Sequence, residues 1–138
     1  MPFVLDASMA ATWMLPDENN AEADRLMEEL HNRPALVPTL FWFETRNLFV
    51  MAERRQRLAA GAAALTMGQL RRLRIDDAGT ADDNFVITMA IRHSLSGYDA
   101  SYLALSVING LPLATVDQRL ATAAKKENIP VLGPLQEI

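Results

Sequence analysis

The sequence predicts an α/β fold: a short, mostly parallel central sheet of four or five strands with helices on both faces. Two observations carry that prediction. Short β-prone apolar runs alternate along the chain with longer segments whose apolar residues recur at helical spacing. The chain has 138 residues, half of them hydrophobic and 22% charged, which suits one domain with a real core and is too short for two. No repeat, linker or low-complexity tract interrupts it.

The elements follow in order. "FVLDA" opens as a short strand, and the residues after Ser8 read as helix through Trp13 to Pro16. Ala23, Leu26, Met27 and Leu30 give helical spacing over residues 19–31. "ALVP" is a second strand, ended by Pro38. A long helix over residues 39–57 follows, with Thr39 as its expected N-cap. Gly61 does not obviously break the next stretch, where Leu65, Leu70 and Leu73 suggest a helix to about Arg74. "RIDDAG" is a weak strand or loop candidate, and residues 81–97 read as a helix closed by Gly97. The helix opened by Tyr98 and Asp99 is apolar on most sides and expected to be buried. "LPLATV" is a strand, "DQRLATAAKK" a helix and "IPVLG" a last short strand.

Composition bounds the chemistry. Without cysteine, neither a disulfide framework nor a thiolate metal site can form. "MPFVLDAS" lacks a basic leader, and no apolar run approaches the ~20 residues that cross a bilayer, so a cytoplasmic protein off the membrane is expected. The net charge of −4 argues at first against nucleic acid. Distribution matters more: with four carboxylates set aside at one site, the remaining acids equal the 13 Lys and Arg residues. The basic groups "RRQR" and "RRLR" serve equally as RNA guides or as exposed helix faces, and Lys125 and Lys126 read at least as well as a solvated helix face.

Four acids stand out. Asp6 and Asp117 each end a predicted strand, where open parallel sheets bind ligands. With Asp99, each reads as a helix N-cap, a place aspartate favours. Glu44 has no such role, since Leu40, Phe41, Leu48 and Met51 surround it at helical spacing. A carboxylate in an apolar stripe breaks binary patterning and is costly to bury unpaired. Asn47 lies on the same stripe. Glu44 snorkelling to the helix edge, or pairing with Arg46 or Arg92, is the plain alternative. Four carboxylates at one crevice repel one another, and an all-oxygen site favours Mg²⁺ or Mn²⁺. His31 and His93 are isolated at helix ends and read as surface residues.

"VLDAS", "VPTLFWFETRN", "YDASYLAL" and "LATVDQRLATAA…IPVL" resemble, in order and spacing, the motif series of PIN-domain proteins of the VapC toxin type. The resemblance runs from Phe3 to Leu132, with little signal in the middle between Arg57 and Asp83. It implies a PIN-like fold over a single domain, residues 1–138, and carries over Asp6, Glu44, Asp99 and Asp117 as metal-binding and catalytic positions. Ser8, Asn47 and Thr115 match the polar positions beside them. The implied activity is a metal-dependent endoribonuclease, using one or two Mg²⁺ or Mn²⁺ ions and leaving 5′-phosphate and 3′-hydroxyl ends. The implied partners are a structured RNA such as tRNA or rRNA, a VapB-like antitoxin and a second copy of the chain. Arg46, Arg92 and Arg119, with Lys125 and Lys126, are candidate phosphate contacts. "LFWF", Phe49 and Trp13 are more aromatic than one helix face can bury, and part of them could form a groove for a partner helix.

Rival classes fit less well. A phosphoacceptor receiver domain needs an acidic pair after its first strand and a lysine near its last, and "VLDAS" and "ATVD" supply neither. A haloacid-dehalogenase-type phosphatase needs Asp-x-Asp, but position 8 is serine. An inactive PIN-like RNA- or protein-binding module is the remaining alternative.

Overall fold

The computed structural model describes residues 1–136. Its sheet holds five strands: β1 (Phe3–Leu5), β2 (Ala35–Val37), β3 (Ile75–Asp77), β4 (Leu113–Ala114) and β5 (Val131–Leu132). They lie in the order β3-β2-β1-β4-β5, every pair parallel. Parallel neighbours need crossover connections, and helices supply them: α1 (Ala7–Met14), α2 (Ala21–Glu28), α3 (Leu40–Arg54), α4 (Ala62–Arg71), α5 (Asp83–His93), α6 (Gly97–Asn109) and α7 (Gln118–Lys126).

The connections run outward from β1 to β2 and β3, then cross back to β4 and run outward again to β5. Right-handed crossovers turn that reversal into two helical layers on opposite faces. In keeping with this, α1 packs on α2, α3 and α4, while α6 packs on α5, α7, β1 and β4. Phe3, Val4 and Leu5 are all buried, as are Leu113 and Ala114, because helices cover both faces of the central strands. The reversal sits between β1 and β4, and a crevice opens at their carboxyl ends.

Several boundaries differ from the sequence expectation. The helix read over 19–31 is α2 followed by a 3₁₀ turn, Glu29–His31, with Asn20 as cap. α3 stops at Arg54, and Gln56 takes a positive φ of 62°. Gly61, at φ 84°, does interrupt the chain before α4, in a left-handed conformation that glycine adopts without strain. Thr39 is no cap. Its backbone is already helical, and its hydroxyl instead donates to Asp77 Oδ1 at 2.8 Å, tying the start of α3 to the end of β3. Gly97 does not close α5: Ser94 does, at φ 55°, and Gly97 is the first residue of α6. His93 is not a surface residue, since its side chain is 5% exposed and its Nε2 lies 2.6 Å from Glu127 Oε2.

Candidate active site

The crevice holds a cleft of about 410 Å³ lined by Asp6, Ser8, Glu18, Glu44, Asn47, Asp99, Tyr102 and Asp117. Four separate elements deliver its acids. Asp6 follows β1, Glu44 projects from α3, Asp99 lies in the first turn of α6, and Asp117 precedes α7.

Asp6 is the most enclosed, at 4% exposure. Its carboxylate caps α1 by accepting from the Met9 backbone N–H at 2.9 Å. It also accepts from the Ser8 hydroxyl at 2.8 and 2.9 Å and from the Thr115 hydroxyl at 2.5 Å. These donors are themselves held: Ser8 Oγ accepts from Val116 N–H at 3.2 Å, and Thr115 Oγ1 from Asp117 N–H at 2.9 Å. The network stitches the end of β1 to the end of β4. Burial pushes the Asp6 carboxyl up to about 7, against the opposing pull of Thr115, Met9 and Ser8, with Asp117 adding repulsion.

Glu44 is half-buried and accepts from the Tyr102 hydroxyl at 2.5 Å. Its acidity is weakened by burial first and by the charge of Asp99, while the phenol bond works the other way. Asp99 is raised by burial and then by Asp117, with Ser96 and Arg119 opposing. Asp117 caps α7, accepting from the N–H groups of Arg119 and Leu120 at 2.9 and 3.2 Å. Asp99, by contrast, is not a cap. Ser96 caps α6, its hydroxyl accepting from Asp99 N–H at 3.0 Å, which leaves the Asp99 carboxylate directed to other use. Ser96→Ala is therefore expected to cost about 1 kcal/mol in urea unfolding, the usual loss of a serine cap. Asp99→Ala should show no such loss.

Three of these acids thus titrate high because burial and mutual repulsion oppose their charge. The ion pairs of the described residues involve none of the four. A hard-oxygen donor set whose four carboxylates make no ion pair among the described residues fits Mg²⁺ or Mn²⁺. Among the described residues, no three His, Cys, Asp or Glu side chains stand close enough as placed to grip one ion together. The acids share the cleft without converging on one point.

The neighbouring candidates separate. Ser8 and Thr115 are at the centre of the network, and Asn47 is an exposed residue on the cleft wall. Arg119 stands beside Asp99 and donates to Ser94 O at 3.1 Å. Arg92 lies elsewhere, bonded to Glu127 at 2.9 Å, and Arg46 stacks on Phe43 beside an apolar groove between α3 and α4. Glu44 therefore pairs with neither. Arg57, from the basic group at the end of α3, bonds Asp17 and Glu18, and Arg71 stacks on Trp42.

Sequence reasoning missed Tyr102, Glu18 and Ser96. Ser96 carried a usable signal, a favoured cap residue just before a helix. Glu18 carried none, being one polar residue in a polar loop.

The model of the PIN domain family matches residues 3–126, nine-tenths of the chain. The chain belongs to the PIN-domain family. A curated relative, Ribonuclease VapC3 of Pyrobaculum aerophilum, is 29% identical over 126 residues, covering 88% of this chain and 93% of that one. A crystal structure from the same organism superposes with a TM-score of 0.70 at 22% identity, covering 89% of this PIN domain and 79% of that chain. VapBC2 of Rickettsia felis, solved bound to a DNA fragment from its promoter, reaches a TM-score of 0.67 at 9% identity, covering 95% and 97%. The two structural likenesses concern the fold of this PIN domain: a five-stranded parallel sheet flanked by helices.

Proposed function

We propose that this PIN domain, acting as one domain over residues 1–138, is a metal-dependent endoribonuclease and the toxin of a toxin–antitoxin pair. The observation that carries the reading is the cleft, lined by Asp6, Glu44, Asp99 and Asp117 at the strand-order reversal of a sheet built like that of a VapBC protein. Its kinship to a VapC ribonuclease supports RNA as substrate.

The four acids would hold one or two Mg²⁺ or Mn²⁺ ions. A bound ion of this kind would supply Lewis-acid polarisation of a phosphate and lower the pKa of a water, so that it loses a proton more readily and becomes a better nucleophile. The protein does the rest. Ser8 and Thr115 fix the Asp6 carboxylate from two sides, a role whose loss elsewhere costs ~10–100-fold in metal affinity or activity. Asp117 is locked by the α7 backbone, and Asn47 is placed to touch RNA at the rim. Arg119, beside Asp99 on the open side, contacts a phosphate. Arg46 and Arg92 contact RNA away from the cleft, on flanking helical surfaces. Water attack in this setting leaves 5′-phosphate and 3′-hydroxyl ends.

A VapB-like antitoxin is the proposed protein partner. An apolar groove of about 570 Å³ between α3 and α4, lined by Val50, Ala63, Ala64 and Met67, supports a helical segment as its contact. A homodimer in the cytoplasm completes the reading; no helix among the described residues is long and apolar enough to cross a membrane.

The test is the chemistry of the ends. Total RNA incubated with the protein and Mn²⁺ should yield fragments ligatable through a 5′-phosphate, and EDTA should stop their formation. Cyclic-phosphate or 5′-hydroxyl ends, or cleavage that survives EDTA, would sink the proposal.

A further inference from the structure

Tyr102 is among the largest fully buried side chains, 1% exposed, on a helix that packs directly on β1 and β4. Core packing accounts for its ring. It does not account for its hydroxyl, since phenylalanine fills the same space without a polar atom to desolvate. That hydroxyl faces the cleft and donates to Glu44 Oε1 at 2.5 Å. We propose that Tyr102 is a positioning residue, holding Glu44 in the orientation that binds a divalent cation. The inference rests on the metal-dependent reading above.

The geometry explains why Glu44 needs such a partner. Asp6 and Asp117 are short side chains pinned by N–H groups of the helices they cap. Glu44 is longer and projects from the middle of α3, where it caps no helix. Its bond to Tyr102 is the anchor the structure gives it. The tyrosine ring cannot swing, because the core grips it, so its oxygen is a fixed point across the cleft. One O–H makes one bond, leaving Glu44 Oε2 and a lone pair of Oε1 for an ion. The phenol remains a donor throughout, its ionisation pushed far above the tyrosine range by burial and by Glu44 itself.

The experiment is a double-mutant cycle on Mn²⁺ affinity, measured by isothermal titration of the whole chain. Tyr102→Phe should weaken Mn²⁺ binding about tenfold, the scale of losing a hydrogen bond to a charged ligand. In a Glu44→Gln background the same change should add nothing. Equal losses in both backgrounds, or no loss in either, would overturn the proposal while leaving the metal reading intact. A wild-type protein that binds no Mn²⁺ would overturn both. A second measurement needs no change at Tyr102. The chain has two tyrosines, so 3-fluorotyrosine labelling gives two ¹⁹F resonances, assigned with Tyr98→Phe. Glu44→Gln should move the Tyr102 resonance in the absence of metal, and an unmoved resonance refutes the contact.

Discussion

Asp6→Asn is expected to abolish RNA cleavage and, at the same time, to stabilise the metal-free protein at pH 8. Asparagine matches aspartate as an N-cap, so α1 keeps its bond from Met9. What disappears is the buried charge. Asp6 titrates at about 7 in the folded chain against 3.8 for the ordinary group. The folded state therefore binds the proton more tightly than the unfolded state. Stability is full below pH 4 and is lost as pH rises through 7. By pH 8 the loss is on the order of 4 kcal/mol, already net of the hydrogen bonds from Thr115, Met9 and Ser8 that favour the ionised form. Thermal melts with a chelator should place the variant above the wild type by several degrees at pH 8 and near it at pH 4. Added Mg²⁺ should raise the wild type alone. Cleavage by the variant should fall by at least ~100-fold, since the change removes a carboxylate oxygen of the proposed metal site rather than its support. A variant less stable at both pH values would contradict the burial argument.

Thr115→Val is expected to damage the site and the fold together. Thr115 is fully buried, and its hydroxyl donates to Asp6 while accepting from Asp117 N–H. Valine matches its shape and removes both bonds. Asp6 loses its strongest compensating donor, and a backbone N–H is left without its partner at the edge of the core. A bond to a charged group contributes about 1.5–3 kcal/mol and an orphaned buried donor costs ~1–3, so a loss of roughly 2.5–6 kcal/mol at neutral pH follows. Cleavage should fall ~10–100-fold, as for other supports of metal ligands. Its acid limb should move to higher pH, because the Asp6 carboxyl rises further. Thr115→Ser should restore most of both properties. A valine variant with wild-type melting and rate would show that the stitch between β1 and β4 is incidental.

How much of this was legible in the sequence depends on the kind of signal each residue carried. Glu44 was legible because it violates an apolar stripe, and violations of local patterning mark sites. Asp6 and Asp117 were legible because each joins a strand end to a helix start, and both do cap their helices. Asp99 was found by its motif and given the wrong local role. Ser96 and Asp99 are both good cap residues three positions apart, and only the backbone decides between them. Tyr102 was illegible for the opposite reason: in an apolar helix it looks like core, and all but its hydroxyl is core. The edge strand β3 gave a weak signal because two of its three residues are exposed aspartates, with no pattern for periodicity to detect. Its place is set by pairing with β2, a contact distant in sequence. The basic candidates scattered for the same reason, since Arg46, Arg92 and Arg119 stand on three helices far apart in sequence, α3, α5 and α7, and only the fold decides which of them nears the cleft. Arg119 alone of the three arginines ended beside an acid of the cleft.

The most direct test of the carboxylate cleft is a side-by-side RNA cleavage assay with Mn²⁺. It compares the wild type with Asp6→Asn, Glu44→Gln, Asp99→Asn and Asp117→Asn, each first shown to be folded by circular dichroism. The expected result is metal-dependent cleavage by the wild type and loss in all four variants, because the proposed metal site draws on all four carboxylates. Cleavage that persists at the wild-type rate in Asp6→Asn and Glu44→Gln would contradict the account and move the chemistry elsewhere on the molecule.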